Sequence, residues 1–231
     1  MRLNGVFIVV ISAVVSCVAQ TPACRDIADE PNHQLLYQNQ NVRIFQLDLP
    51  RLKSTEQFCV AHPYVRIAAT NARIADLIDG SVTFDRDWTA GEARYVFEPK
   101  KKAIRNELGS PYREYVFETL RTVQFNPLDG NTDVDVLAGD LGPLKPTWTV
   151  SATRGAFTIT KNQLASGDAL QLGSPDHFLI ALTDVDLTLS GSKRPGGVVL
   201  SAAESERLPG GMERELKNHG PSSARFVVVE F

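Results

Sequence analysis

Apolar and polar positions alternate over short distances through most of the chain. Val42-Arg43-Ile44-Phe45-Gln46-Leu47-Asp48-Leu49 has the period of a half-buried strand, and Pro50 stops it. Further strand-like runs follow at short intervals: Phe58–Val60, Val65–Ala68, Arg73–Ile78, Ser81–Phe84, Ala93–Phe97 and Glu114–Glu118. Gln34–Tyr37 precedes them. Asp79-Gly80 is a hairpin turn, because both residues accept positive φ. Many short strands divided by turns predict a sandwich or small barrel. Two stretches break the pattern. Residues 20–33 are polar and turn-rich and predict a loose leader. Residues 124–152 carry Pro127, Asp129-Gly130, Gly142-Pro143 and Pro146 and read as a connecting segment, with Asp133–Leu137 as an added strand.

The pattern then recurs. Val65-Arg66-Ile67-Ala68-Ala69-Thr70-Asn71 aligns with Phe178-Leu179-Ile180-Ala181-Leu182-Thr183-Asp184. Arg43–Gln46 aligns with Phe157–Thr160, and Tyr115–Glu118 with Val227–Glu230. The expected fold is all-β: two small antiparallel β-barrels in tandem, over residues 34–123 and 153–231, joined by 124–152.

The N-terminus is of another kind. Arg2 precedes the apolar run Val6–Ile11 and Ala13-Val14-Val15, the form of a secretory signal peptide over residues 1–19. Val18-Ala19 suits cleavage after Ala19, whereas Val14-Val15-Ser16-Cys17 resembles a bacterial lipobox with Cys17 lipidated. Either exit predicts an exported protein: periplasmic, secreted, or lipid-anchored in the envelope, with membrane contact only through Cys17. In an oxidising compartment Cys24 and Cys59 are free to bridge; the alternative is a buried Cys59 and an unpaired Cys24. The net charge of -3 gives no reason to expect a nucleic-acid partner. The one basic run, Lys100-Lys101-Lys102, reads as a solvated turn.

Near the C-terminus, Pro209, Gly211 and Asn218 fall in a Pro-x-Gly-x-x-Arg-x-x-x-Asn array before the run Phe226–Val229. The array resembles the second sequence motif of the cupin family, in which a histidine stands where this chain has Arg214. Pro99 and Asn106 give a weaker match in the first half. The resemblance implies two double-stranded β-helix (jelly-roll) barrels. It also implies the positions where cupins hold a divalent metal with two histidines, a glutamate and a third histidine. Counted back from the motif strand, these fall near Phe58, Val60, Tyr64 and Lys102 in the first barrel. In the second they fall near Gln171, Gly173, His177 and Arg214. Neither set is a donor set for such a metal, so no metal and no other cofactor is expected. His62, before Pro63, reads as a turn residue.

Gln171, His177 and Arg214 remain as a polar set able to hold a small anionic or sugar ligand: Arg214 as anion anchor, His177 as hydrogen-bonder, Gln171 orienting. Pairing of Arg214 with Glu204, Glu206 or Glu213 is the plainer alternative. Apolar Phe58 and Val60 predict a plugged first barrel. No Gly-rich phosphate loop or Gly-x-Ser-x-Gly elbow is present. Trp88 and Trp148 read as core or interface plugs before sugar platforms. The expectation is a metal-free small-ligand binding or structural module, with pairing of two copies through strand edges as a further expectation. The alternative is a metal-independent isomerase or epimerase using His177 as base and Tyr64 or Tyr95 as acid, which is decided by whether His177 points into its barrel.

Overall fold

The computed structural model describes residues 24–96, 100–120, 134–137, 148–154, 156–190 and 196–231. Residues 1–23, which include the expected signal peptide and Cys17, together with Pro99, most of the connecting segment and the Trp148 side chain, lie outside the described residues. The first half forms β1 (His33–Gln38), β2 (Val42–Leu49), β3 (Phe58–Val60), β4 (Tyr64–Ala68), β5 (Ala72–Ile78), β6 (Ser81–Trp88), β7 (Ala93–Val96), β8 (Lys100–Asn106), β9 (Tyr112–Thr119) and β10 (Val134–Leu137). The second forms β11 (Trp148–Arg154), β12 (Phe157–Leu164), β13 (Ala169–Leu172), β14 (His177–Ala181), β15 (Val185–Ser190), β16 (Gly196–Leu200), β17 (Ser205–Leu208), β18 (Arg214–Asn218) and β19 (Ala224–Glu230).

The first barrel is built from sheets β1-β2-β9-β4-β7-β10 and β3-β8-β5-β6, the second from β11-β12-β19-β14-β17 and β13-β18-β15-β16. Adding ten to each label turns the first barrel's order into the second's, with β10 as an extra edge strand. The weak repeat in the sequence is therefore a repeat of topology. Its register is one residue away from the sequence alignment at β2: Arg43 pairs Glu118 as Thr158 pairs Glu230, so Arg43 matches Thr158 and not Phe157.

Three apolar clusters hold this together. One fills the first barrel, around Phe45, Leu47, Phe58, Trp88, Ile104 and Val116. A second fills the other barrel, around Leu164, Leu179, Leu187, Leu216, Phe226 and Val228. The third lies between the large sheets, where Ile44, Ile67 and Phe117 face Ile159, Phe178 and Val229. There the Phe117 ring meets Phe157 and Phe178 edge-on, with centroids 6.0 and 5.5 Å apart, the geometry ring quadrupoles favour. Strands β4 and β14 are consequently buried at every position, one face in a barrel and the other in the interface. This explains why they lack the alternation of β2.

The motif asparagines have a structural role. Asn218 donates its side-chain amide to the carbonyls of Leu164 and Ser222, at 3.0 and 2.9 Å, and accepts from the Gly220 amide. Asn106 does the same in the first barrel, donating to Ser110 and accepting from Leu108. Each clasps the turn that leads into the closing strand. Gly211 sits at φ +105°, and a side chain on Gly210 would strike the Ser174 carbonyl.

Residues 24–33 are not a loose leader. Ile27 is fully buried in the first barrel, Asp26 accepts from Arg43 at 3.0 Å, and a disulfide joins Cys24 to Cys59. The segment's polar composition disguised the one apolar side chain that anchors it.

Candidate ligand sites in the two barrels

Register pairs fix which side chains share a barrel's inner face. In the first barrel Phe58 pairs Lys102, and Tyr64 pairs both Glu118 and Val96. Phe58, Val60, Tyr64 and Lys102 are all buried and all point inward. The run Lys100–Lys102 is thus part of β8 and not a turn. Strand alternation sends Lys101 to the surface side and Lys102 into the barrel, where it is 3% exposed.

The first barrel is not plugged. Beside Phe58 and Val60 lies a pocket of about 150 Å³, lined by Tyr64, Asp76, Ile78, Thr83, Phe84, Arg94, Val96 and Lys102. Beneath it runs a buried ion network. Arg66 donates to both oxygens of Asp76, at 2.9 and 2.8 Å, and its Nε donates to Glu114 at 2.9 Å. The Tyr112 hydroxyl donates to the same Glu114 oxygen at 2.6 Å. Lys102 Nζ stands 3.6 Å from Asp76 and 5.1 Å above the Tyr64 ring. Burial pushes the Asp76 carboxyl up, but Arg66, Lys102 and Arg94 outweigh it and hold it below the usual carboxylate range. Arg66 is likewise penalised by burial, yet Asp76 and Glu114 keep it charged. One layer away, Arg43 binds Glu118 at 2.6 Å. The guanidinium of Arg94 lies 4.1 Å over the Phe84 ring.

In the second barrel His177 pairs Glu230 and Leu208 and shares its face with Leu179, so it points inward and is 2% exposed. Its Nε2 lies 3.5 Å from Glu230 Oε2. Burial lowers the imidazole's pKa, opposed by Glu230 and reinforced by Arg214, so it is neutral near pH 7. Arg214 pairs Leu172 and shares the inner face with buried Leu216. Among the described residues it has no ion pair with Glu204, Glu206 or Glu213, and its buried Nε has no hydrogen-bond partner. A pocket of about 90 Å³ is lined here by Thr158, Thr160, Leu170, Gln171, Leu172, Gly173, His177, Val228 and Glu230.

Gln171 is among the residues that line this pocket, but its side-chain amide is turned to Glu215. It is exposed and donates to Glu215 at 2.6 Å on the outer face. The reason is one residue of loop. Phe58 and Tyr64 are six positions apart, but their equivalents Leu172 and His177 are five apart. A count made with the longer spacing lands one residue early, and a slip of one reverses the face of a strand. Tyr64 and Tyr95 are also not partners of His177: Tyr64 lines the first barrel's pocket, and Tyr95 lies in the core between the barrels. Trp88 is buried in the first barrel's core, with the Arg66 guanidinium 5.1 Å over its ring.

Matching positions show how the barrels diverge. Asn106 pairs Ile74 as Asn218 pairs Leu187, so Lys102 corresponds to Arg214 and Asp76 to Leu189. Tyr64 corresponds to His177, Arg66 to Leu179, Arg94 to Glu206, Glu114 to Phe226 and Glu118 to Glu230. The first barrel carries an ion network where the second carries Leu179, Leu189 and Phe226.

No protein-family model matches the sequence, and no curated protein matches it either. Among solved structures the chain is similar to AerE from Microcystis aeruginosa, with 9% identity, a TM-score of 0.61, and coverage of 87% of this chain and 97% of that one. It is similar to a cupin 2 conserved barrel domain protein from Leptotrichia buccalis, at 9% identity and TM-score 0.54, covering 86% and 87%. It is also similar to oxalate decarboxylase from Bacillus subtilis, a protein with Mn(II) centres, at 12% identity and TM-score 0.53, covering 82% and 68%. The likeness is one of fold: this chain folds as a cupin with two barrels. The metal of such centres asks for clustered imidazole and carboxylate donors. Phe58, Val60, Tyr64 and Lys102 do not fit it, nor do Leu172, His177 and Arg214, and no group of three His, Cys, Asp or Glu side chains suited to a metal occurs among the described residues.

Proposed function

We propose that this chain is an exported small-molecule-binding protein whose barrels hold organic ligands directly, by fixed cationic and polar side chains in place of a transition metal. The observation that carries this reading is the inward-facing cation at the matched position of each barrel: Lys102, which lines the first barrel's pocket, and Arg214, which pairs with Leu172 of the second barrel's pocket wall. Export rests on the N-terminal sequence, and the Cys24–Cys59 disulfide is in keeping with an oxidising compartment.

The test is elemental mass spectrometry of the mature protein after dialysis without chelator, paired with a thermal-shift screen of small organic acids and sugars. The expected result is no stoichiometric transition metal and at least one stabilising ligand. A stoichiometric metal overturns the proposal. A ligand held by the second barrel should lose affinity in Arg214→Ala.

One observation favours a second reading, a metal-independent acid–base enzyme. His177 points into its barrel, neutral and within 3.5 Å of Glu230, so a proton acceptor and a carboxylate face one small cavity. In that reading Glu230 takes the partner role that sequence had given to Tyr64 or Tyr95. Turnover of a carbon acid that is lost in His177→Gln would establish it.

A further inference from the structure

We infer that the cleft between the two barrels is a binding site for a neutral saccharide. The site is separate from the barrel interiors, so the inference does not depend on their being ligand pockets.

The cleft has a volume of about 530 Å³ and takes its walls from both halves of the chain. Leu36 of β1, Gln46 of β2 and Arg113 of β9 stand on one side. Phe178 of β14, Leu200 of β16, and Glu204, Ser205 and Arg207 at β17 stand on the other. Two ties across the interface fix the walls. Arg113 Nη1 donates to the Ala203 carbonyl at 3.3 Å, beside the Tyr115 hydroxyl, which donates to the same oxygen at 2.8 Å. The Arg207 guanidinium lies 4.1 Å over the Tyr37 ring. The repeat of the barrels would put a like cleft where β7 meets β11, but there the added strand β10 pairs with β7 and lies beside β11. One side of the interface carries an extra strand, and the other the cleft.

Charge decides the ligand class. Arg113 Nε donates to Asp48 at 2.5 Å, and Arg207 Nη2 to Asp176 at 3.2 Å. Each cation of the cleft has its own carboxylate, and Glu204 adds one more that has no ion pair among the described residues. This balance gives a free anion no net attraction. What the walls do present is unused hydrogen-bonding capacity on immobilised groups. Gln46 commits its amide nitrogen to Asp48 at 2.6 Å and keeps its carbonyl oxygen. Glu204 accepts the Ser201 amide with one oxygen and keeps the other. Arg113 keeps Nη2, and the buried Arg207 Nε has no partner among the described residues. Planar groups held in place, with their charges met inside the protein, suit vicinal hydroxyls, which donate and accept at once and carry no charge. Leu36, Phe178 and Leu200 supply apolar surface for the C–H face of a sugar ring. The volume falls within the roughly 300–1,000 Å³ of small-molecule sites and admits a disaccharide.

The test is isothermal titration calorimetry of the mature chain, disulfide intact, with glucose, galactose, N-acetylglucosamine, maltose and cellobiose, and with glucuronate as the charged counterpart of glucose. At least one neutral sugar should bind, with an affinity that added salt leaves unchanged, and glucuronate should bind no more tightly than glucose. Glu204→Ala and Gln46→Ala should each weaken that sugar about tenfold, and Gln46→Trp, which fills the cleft, should remove it, with Arg214→Ala unchanged. Glu204 is exposed in a turn, so its variant keeps the test decisive if those on β2 fail to fold. The inference is overturned if no neutral sugar binds, if glucuronate binds more tightly than glucose, or if Glu204→Ala leaves the affinity intact. A sugar that is lost in Arg214→Ala and kept in the cleft variants sits in the second barrel; the cleft inference then fails while the barrel reading stands.

Discussion

Arg66 is the side chain whose removal should cost this fold most. It is fully buried in the first barrel, and it is the partner of two carboxylates. The Glu114 side chain is entirely buried and cannot turn to water when the guanidinium leaves, whereas Asp76 is 17% exposed and keeps Lys102 at 3.6 Å. Arg66→Met keeps most of the packing volume and deletes the charge, together with the guanidinium that lies over Trp88. Removing one partner of a buried pair strands the other, at about 3–5 kcal/mol in comparable cases. For a domain of this size each kcal/mol moves the melting point by about 2–4 °C, so a fall of roughly 6–20 °C is expected. Urea unfolding followed by circular dichroism measures the change directly, with an unaltered slope showing that the denatured state is the same. Arg73→Met is the control, because Arg73 pairs with Asp85 at the surface and should show no resolvable loss. Adding Glu114→Gln to Arg66→Met should restore part of the stability, since glutamine still accepts from the Tyr112 hydroxyl and carries no stranded charge. The reasoning is refuted if Arg66→Met unfolds at the wild-type midpoint, or if the double variant is no more stable than the single one.

Three further outcomes are expected. His177 is buried with a folded pKa below its unfolded value of about 6.5, so the unfolded chain binds more protons as pH falls. Its contribution to stability is present above about pH 6.5 and is lost as the solution is acidified toward the folded pKa; melting curves of His177→Gln should show a flatter acid limb than wild type. Asn218→Ala deletes two donated bonds and one accepted bond in a buried turn, for a loss of about 3 kcal/mol by urea unfolding, and Asn106→Ala should fall in the same direction. Joint replacement of Cys24 and Cys59 by serine opens a loop of sequence separation 35 and should cost about 4 kcal/mol; reductant should lower the wild-type midpoint and leave the variant's unchanged.

The fold was legible because its strands are short, its turns are marked by Asp-Gly and Pro-x-Gly, and its two halves repeat. The strand Val42–Leu49 was legible from its apolar content, although its apolar residues are divided between two faces: Val42 and Ile44 pack between the barrels, and Phe45, Leu47 and Leu49 pack inside the first barrel. The site was less legible for two physical reasons. In the second barrel a loop shorter by one residue turned Gln171 outward, which no count along the chain could detect. In the first, charges occupy the inner face of strands whose other face is also buried: Arg66 between Val65 and Ile67, Glu114 and Glu118 at either end of a run containing Tyr115 and Phe117. Such residues look like solvent positions until the second sheet is known. The available signal was their phase, since Glu114 and Glu118 share the parity of buried Val116 and Arg66 that of Tyr64. Lys102 was hidden in the same way, as one member of a basic triplet of which alternate members face opposite sides.

The apolar layer between the large sheets has a consequence for how the chain assembles. Each half presents to the other the surface that, in a protein of a single such barrel, would be left to find a second molecule: Ile44, Val65, Ile67, Tyr115 and Phe117 on one side, Phe157, Ile159, Phe178, Val227 and Val229 on the other. Tethering the two on one polypeptide turns that meeting into an internal event, governed by an effective concentration fixed by the connecting segment and not by how much protein is present. Dilution, which parts two separate chains, cannot separate them.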